Sequence, residues 1–148
     1  MATNAESVGD LRNPDVLLDT SVAVPLVVED HGNHDQTVQA LRGRSLGLAG
    51  HAAFEAFSVL SRLPAPLRRT PRAVSALIAA NFSRSRFVSA SGAEDLLGHL
   101  PGLGIVGGSV YDALVGAVAV EHGLRLATRD RRAIGTYRAL GVDIEFLE

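Results

Sequence analysis

The stretch Val16-Leu17-Leu18-Asp19-Thr20-Ser21 indicates the fold, because a short apolar run stops abruptly at an acidic residue. Three consecutive apolar residues are typical of a strand that is buried on both faces of a sheet. Either Thr20 or Ser21 can cap a helix that begins directly after this strand. Because sheets buried on both faces are covered by helices, we expect residues 16–18 to lie inside an α/β domain.

Segments with the patterns of helices and strands alternate along the rest of the chain. The predicted strands are residues 46–49, 87–88, 124–128 and 143–147, and the predicted helices are residues 33–42, 51–63, 71–82, 93–100, 110–122 and 131–140. Thr70 and Ser109 are expected caps, Gly123 is an expected helix end, and the glycine-rich residues 101–108 are an expected loop. The alternation predicts an α/β sandwich with a mainly parallel sheet, whose ligand site lies beyond the carboxyl ends of the strands.

The length and composition fit one globular domain of 148 residues, with 47% apolar and 20% charged residues. Residues 1–14 are polar and aperiodic, so we expect a flexible N-terminal tail followed by a single domain over residues 15–148. No apolar run approaches the ~20 residues of a membrane span, and no secretory signal is visible. The absence of cysteine suits a reducing cytosol, so we expect a cytoplasmic protein without a membrane segment.

All 14 basic residues are arginine, because the chain contains no lysine. This absence excludes Schiff-base chemistry and nucleotide binding of the Walker type, both of which require a lysine. The formal net charge is only −2, so any affinity for nucleic acid must come from local basic patches.

Four acidic residues are expected to meet at one place. Asp19 and Asp130 directly follow apolar strands, while Glu55 and Asp112 lie in the opening turns of helices with apolar faces. Two carboxylates ~5 Å apart repel by roughly 3 kcal/mol at an effective dielectric constant of ~20. A cluster of this kind therefore needs a bound cation.

Oxygen ligands alone favour a hard cation, so the sequence predicts Mg²⁺, with Mn²⁺ as a substitute. Such an ion can activate water and polarise a phosphodiester, which makes phosphodiester hydrolysis the expected reaction. Each acid also has an ordinary structural explanation. Asp19 and Asp130 could cap helices, Glu55 could pair with an arginine, and Asp112 could complement a helix dipole.

Two segments resemble the sequence motifs of PIN-domain nucleases. The stretch quoted first resembles the opening motif of that family, and Leu126-Ala127-Thr128-Arg129-Asp130 resembles its closing motif. Between them, Glu55 and Asp112 occur in the expected order, and the resemblance extends from Asp15 to Glu148. It implies a three-layer α/β/α sandwich and is strongest to the VapC-type toxins of toxin–antitoxin pairs.

The resemblance implies an endoribonuclease that cleaves tRNA or rRNA and thereby inhibits translation and growth. In this family Asp19, Asp112 and Asp130 would ligate the metal ion, and Glu55 would complete the cluster or handle protons. Ser21 and Thr128 would support the site. The implied partners are RNA, a second copy of the chain in a homodimer, and a VapB-type antitoxin that covers or enters the acidic cleft in a hetero-oligomer.

Residues 56–93 contain no acid but several arginines, namely Arg62, Arg68, Arg69, Arg72, Arg84 and Arg86. This segment could bind the RNA backbone beside the acidic cleft, since neutralisation of phosphates gives affinity that does not depend on sequence. The candidates for this role are Arg62, Arg68, Arg69 and Arg72. The alternative is an ordinary solvated surface.

Several remaining features have weaker interpretations. Residues 102–107 match the dinucleotide pattern G-x-G-x-x-G, but they follow a helix-like segment where that motif requires a strand. His51 precedes Glu55 by one helical turn and could border the site or be an ordinary helix-end residue, while Tyr111 could be a packing residue. A second class of function is a binding module with the same fold that does not cleave; the full set of four acids argues against it.

Overall fold

The computed structural model describes residues 13–148, so residues 1–12 of the expected tail lie outside the described part. The strands are β1 (Val16–Leu18), β2 (Leu46–Leu48), β3 (Leu126–Thr128) and β4 (Ile144–Phe146). The helices are α1 (Thr20–Val27), α2 (His34–Leu41), α3 (His51–Ser61), α4 (Pro71–Asn81), α5 (Ala90–Leu103), α6 (Ser109–His122) and α7 (Ile134–Ala139). Within residues 13–148, no helix is long and apolar enough to cross a membrane.

The four strands form one parallel sheet in the order β2-β1-β3-β4, which confirms the predicted α/β class. The chain moves from β1 outward to β2 on one side, and β3 later joins β1 on the other side. The strand order therefore reverses between β1 and β3. In open parallel sheets, the crevice outside the carboxyl ends at such a reversal is the usual ligand site.

Helices cover both faces of the sheet, giving the three layers that the resemblance implied. Val16 and Leu18 are fully buried in a core formed with helices α1 to α4, whereas Leu17 is buried on the opposite face. There it packs in a cluster with Val118 of α6 and Tyr137 of α7. Because β1 is buried on both sides, the residue that follows it is fixed at the carboxyl edge of the sheet.

The structure corrects several predicted helix ends. Asp19, not Thr20 or Ser21, caps α1, because its carboxylate accepts the Ser21 N–H at 3.0 Å. Ser109 is the first residue of α6 and does not cap it; Gly108 precedes the helix without a side-chain bond. Gly123 ends α6 in the left-handed conformation, as predicted, and Thr70 caps α4 by accepting the Ala73 N–H.

The strand predicted at residues 87–88 was wrong, and the helix predicted over residues 93–100 was confirmed but too short. Beside β2 the chain pairs at residues 84–86 instead, through backbone hydrogen bonds and one bridge between Ala49 and Arg86. The Gly50 N–H bonds the Arg86 carbonyl, and α3 begins at the next residue. Helix α5 is longer than predicted: it begins after the Ser89 cap and continues through Pro101 to Leu103. Pro101 lies in the last turn, and the helix ends at Gly104, which has the left-handed conformation.

Strand β3 and helix α7 are shorter than predicted at their N-terminal ends. Strand β3 begins at Leu126 because the Leu124 N–H bonds the Ala119 carbonyl and completes the end of α6. Helix α7 begins at Ile134 because residues 131–133 form a turn that the Asp130 carbonyl and carboxylate hold.

Candidate metal centre

Asp19 lies at the reversal point of the sheet, directly after β1, and is 5% exposed. Its Oδ1 accepts the N–H and hydroxyl of Ser21, and its Oδ2 accepts the hydroxyls of Thr128 and Tyr137, the latter at 2.9 Å. Burial raises the pKa of the Asp19 carboxyl, while these hydrogen bonds oppose the rise. Asp19 is thus a buried acid with all four lone-pair positions occupied by donors.

Thr128 and Ser21 connect the end of β3 to the end of β1. The Thr128 hydroxyl accepts the Asp130 N–H at 3.0 Å, and the Ser21 hydroxyl accepts the Arg129 N–H at 2.8 Å. Two side chains that bond Asp19 therefore also fix the backbone that presents Asp130. The two predicted supporting residues stand where such a role requires them.

Asp130 begins the turn that leads into α7, and its side chain remains partly exposed. Its Oδ1 accepts the Arg132 N–H at 3.0 Å, which is the capping role considered from sequence. The Arg132 guanidinium lies 3.5 Å from the same oxygen, but this side chain is 94% exposed, so the ion pair is weak. Asp130 therefore keeps lone pairs available toward the crevice.

Glu55 lies in α3 and is held by two neighbours. Its Oε2 accepts the Thr20 hydroxyl at 3.0 Å, and its Oε1 lies 3.1 Å from Nε2 of His51, one helical turn earlier. The partner is thus a histidine and a threonine, and not the arginine considered from sequence. These contacts orient both carboxylate oxygens while leaving the side chain 42% exposed.

Asp112 lies in the first turn of α6 and differs from the other three acids. Within residues 13–148 its carboxylate has no hydrogen-bond or ion-pair partner. Burial raises its pKa to about 6, with further contributions from the negative charges of Asp130, Glu55 and Asp19. Asp112 is therefore the acid whose charge the surrounding protein compensates least.

The four acids line one cleft of about 50 Å³, together with Thr20, Ser21, Val115 and Tyr137. The structure thus brings all four sequence-predicted acids together. Among residues 13–148, no three acidic or histidine side chains are positioned to hold a metal ion together as they stand. The occupied oxygens of Asp19 agree with this result, because a hydroxyl donor must turn away before Asp19 can offer a lone pair.

The donor chemistry of the cleft nevertheless fits a hard divalent cation. All four candidate ligands are carboxylates, and the pKa of Asp112 is raised first by burial and then by the neighbouring negative charges, which a bound cation would offset. The ligands available for Mg²⁺ or Mn²⁺ are Asp112, Asp130 and Glu55, joined by Asp19 once a hydroxyl moves.

Two residues of the cleft were not singled out for it from sequence. Tyr137 donates to Asp19 across 118 positions of chain, and Thr20 donates to Glu55 across 35. The local pattern predicts an ordinary packing residue at Tyr137 and a helix cap at Thr20. No local pattern distinguishes such long-range hydrogen bonds from packing.

The arginine-rich segment is divided in space. Arg84 and Arg86 donate to Asn13, just before β1, so their guanidinium groups lie at the amino edge of the sheet. The four predicted RNA-binding residues are exposed and form no ion pair among residues 13–148; they are Arg62, Arg68, Arg69 and Arg72. Of these, Arg68 donates to the Leu63 carbonyl, and Arg69 lines a pocket with Glu29 and Asp30.

A larger cavity of about 290 Å³ lies between α5, α6 and α7. Its lining is mainly apolar, and its one carboxylate, Glu121, already accepts hydrogen bonds from the backbone and hydroxyl of Ser89. Besides Glu121, its lining offers one other titratable side chain, His99, so it does not gather carboxylates as the acidic cleft does. The small acidic cleft is therefore the better candidate for the reactive site.

The fold and the site together define an α/β protein with four carboxylates gathered at the reversal point of a parallel sheet. The chain belongs to the PIN-domain family, whose model, described as "PIN domain", matches residues 16–139. The glycine motif of residues 102–107 spans the end of α5, so it has no strand-to-helix context.

The chain is 43% identical over 131 residues to ribonuclease VapC27 of Mycobacterium tuberculosis, covering 88% of this chain and 96% of that protein. Its fold resembles VapBC2 from Rickettsia felis, solved bound to a DNA fragment from its promoter, with a TM-score of 0.60 and 15% identity over 90% and 98% of the two chains. It also resembles VapC20 of M. tuberculosis, a toxin that cleaves the sarcin-ricin loop, with a TM-score of 0.61 and 20% identity over 80% and 92%.

Proposed function

We propose that this protein is an endoribonuclease that depends on Mg²⁺ or Mn²⁺ and acts as the toxin of a VapBC-type pair. The relative VapC27 is named a ribonuclease, and it matches this chain over nearly its whole length. The observation that most supports the activity is the convergence of four carboxylates in one cleft, with Asp112 left without a partner. A site of that kind is costly for a protein that gains nothing from binding a cation.

The residues of the cleft divide the work between holding the ion and positioning the substrate. Asp112 and Asp130 are the first ligands we assign, because both keep free lone pairs, and Asp19 is the buried anchor between them. A bound Mg²⁺ would supply polarisation of the phosphodiester and activation of water. Glu55 lies at the exposed side of the cleft with both oxygens oriented, so it can complete the ligand set or accept a proton.

We further propose that RNA is the substrate, that the active form is a homodimer and that a VapB-type antitoxin neutralises it. The solved VapBC2 structure contains a toxin and antitoxin together, which supports an antitoxin for this chain by analogy of fold. The acidic cleft would suit an arginine or lysine side chain from such a partner, because a cation there offsets the repulsion felt by Asp112.

The test is cleavage of total cellular RNA by the purified protein, with Mg²⁺ and with EDTA. We expect cleavage only with the metal ion, and its loss in Asp112→Asn. The matched control is Asp143→Asn, which changes an acid at the opposite edge of the sheet and should keep full activity. No cleavage by wild-type protein with any divalent ion would instead support a binding module of the same fold.

A further inference from the structure

Two aromatic rings stack beside the acidic cleft. The His51 and Tyr111 rings are 5.0 Å apart between centroids and inclined by only 22°. Tyr111 is 53% exposed, so stacking covers one face of its ring and leaves the other open to solvent. An exposed tyrosine with a parallel partner is a flat, ordered surface of the kind that stacks on another planar group.

Both rings are tied to the acids of the cleft. Tyr111 immediately precedes Asp112 in α6, and the His51 imidazole contacts Glu55 at 3.1 Å in α3. The stack therefore joins the two helices that supply the half-buried acids. Because its position is fixed by these contacts, little conformational entropy remains to be lost when a ligand stacks on it.

We propose that the open face of Tyr111, supported by His51, is the platform on which an unpaired RNA base stacks next to the phosphodiester held in the acidic cleft. This inference rests on the proposed ribonuclease function and names how that site selects single-stranded substrate. Sequence-tolerant recognition of single strands commonly uses aromatic rings beneath splayed bases. A base on Tyr111 would place its own backbone at the neighbouring Asp112.

The chemistry of the stack favours a nucleobase over a protein partner. Tyr111 and His51 have polar ring edges and adjoin a group of carboxylates, whereas the core of a protein interface is depleted of charge. A more apolar surface lies nearby, where Phe54 and Phe87 meet edge to face at 6.4 Å. Both phenylalanine rings are exposed, and their surface is the better candidate for a protein contact.

The experiment measures binding of a fluorescein-labelled single-stranded RNA of about 12 random nucleotides by anisotropy, with Mg²⁺, in an Asp19→Asn background that prevents cleavage. We expect Tyr111→Ala to weaken binding roughly tenfold or more, and Tyr111→Phe to stay within about twofold of the parent. A blunt RNA duplex should bind Tyr111→Ala and the parent equally, since its bases are already stacked. Circular dichroism checks that each variant is folded.

Equal affinity of Tyr111→Ala and the parent for the single strand, or no detectable binding by the parent, would overturn the platform. So would conversion of a dimer to a monomer by Tyr111→Ala in analytical ultracentrifugation, because the ring would then belong to an interface between two copies. Cleavage by wild-type protein is scored separately. Cleavage without a Tyr111 effect refutes the platform alone, and a Tyr111 effect without cleavage refutes the nuclease alone.

Discussion

The two edges of the parallel sheet treat their acids in opposite ways. At the amino edge, Asp15 accepts the Ser45 N–H at 2.7 Å, and this backbone hydrogen bond is the main reason why its pKa is lowered. Asp143 at the same edge pairs with Arg125 at 3.2 Å. At the carboxyl edge, the pKa of Asp112 is raised to about 6 by burial and by three neighbouring carboxylates. The negative charges of the acids are thus compensated at the amino edge and left largely uncompensated at the carboxyl edge.

This difference separates structural charge from functional charge. A carboxylate that only stabilises the fold is expected to have hydrogen-bond donors or a cation beside it, because an uncompensated carboxylate destabilises the folded state. The basic side chains that contact acids of the cleft are Arg132, which lies against Asp130, and His51, which lies against Glu55. The uncompensated negative charge at the carboxyl edge is best explained by a cation that binds there and neutralises it.

The largest expected difference is between two single variants, one with an acid replaced at the carboxyl edge and one with an acid replaced at the amino edge. Asp130→Asn should lower the rate of RNA cleavage by at least roughly a hundredfold, because it removes charge where the transition state needs it. Asp143→Asn should leave the rate unchanged within about twofold. Initial rates at saturating Mg²⁺ provide the measurement. Equal rates for the two variants would remove the functional distinction between the edges.

Tyr137→Phe tests how the buried acid of the carboxyl edge is stabilised. The substitution deletes a hydroxyl that donates to Asp19 at 2.9 Å, so the free energy of unfolding should fall by about 1–3 kcal/mol. Urea unfolding at pH 7 provides the measurement. Tyr111→Phe is the matched control and should be neutral, because the Tyr111 hydroxyl has no hydrogen-bond partner among residues 13–148. A neutral Tyr137→Phe would mean that Asp19 does not need this donor.

Asp112→Asn should stabilise the metal-free protein at pH 7 by about 1–2 kcal/mol, after allowing for solvent screening of this half-exposed group. The folded protein holds the Asp112 proton up to about pH 6, whereas the ordinary pKa is 3.8. Wild-type stability that is present below pH 3.8 is therefore lost as the pH rises to 6 and above, and the asparagine variant avoids that loss.

Urea unfolding in EDTA, from about pH 3.5 to about pH 8, compares the two proteins. The stabilities of Asp112→Asn and wild type should converge at the acidic end. Asp15→Asn is the opposite-edge control and should lose stability at neutral pH, because its pKa is lowered in the folded protein. Stabilisation of Asp15→Asn would contradict the assignment of compensated charge to the amino edge.

The smallest effect concerns the exposed arginines. Replacing Arg68 and Arg69 together by alanine should weaken RNA binding and lower the slope of log affinity against log salt by about 1.4, which is the value for two lost contacts to single-stranded phosphates. Arg125→Ala, at the amino edge, should leave the slope unchanged. Identical slopes for all three proteins would assign Arg68 and Arg69 to an ordinary solvated surface.

The sheet and the acids at its carboxyl edge could be predicted because each depends on a local pattern. An apolar triplet followed directly by an acid places Asp19 at a strand end, and a short strand followed by Arg129 and then an acid places Asp130. Glu55 and Asp112 follow from the apolar faces of their helices. In each case the residues that determine where the acid lies are its close neighbours in the sequence.

The remainder could not be predicted because it depends on contacts between distant parts of the chain. The Tyr137 hydrogen bond to Asp19 and the His51–Tyr111 stack join helices that the sequence gives no reason to pair. The strand predicted at residues 87–88 was wrong for a related reason, since the chain pairs with β2 at residues 84–86 and the next element, α3, begins at His51.

Titration calorimetry with Mn²⁺ tests the central claim that the carboxyl edge binds a divalent cation. The proteins compared are the wild type, the carboxyl-edge variant Asp112→Asn with Asp130→Asn, and the amino-edge variant Asp15→Asn with Asp143→Asn. Saturable binding is expected for the wild type and the amino-edge variant, and its loss is expected for the carboxyl-edge variant. Equal binding by all three proteins, or no binding by the wild type, would contradict the account.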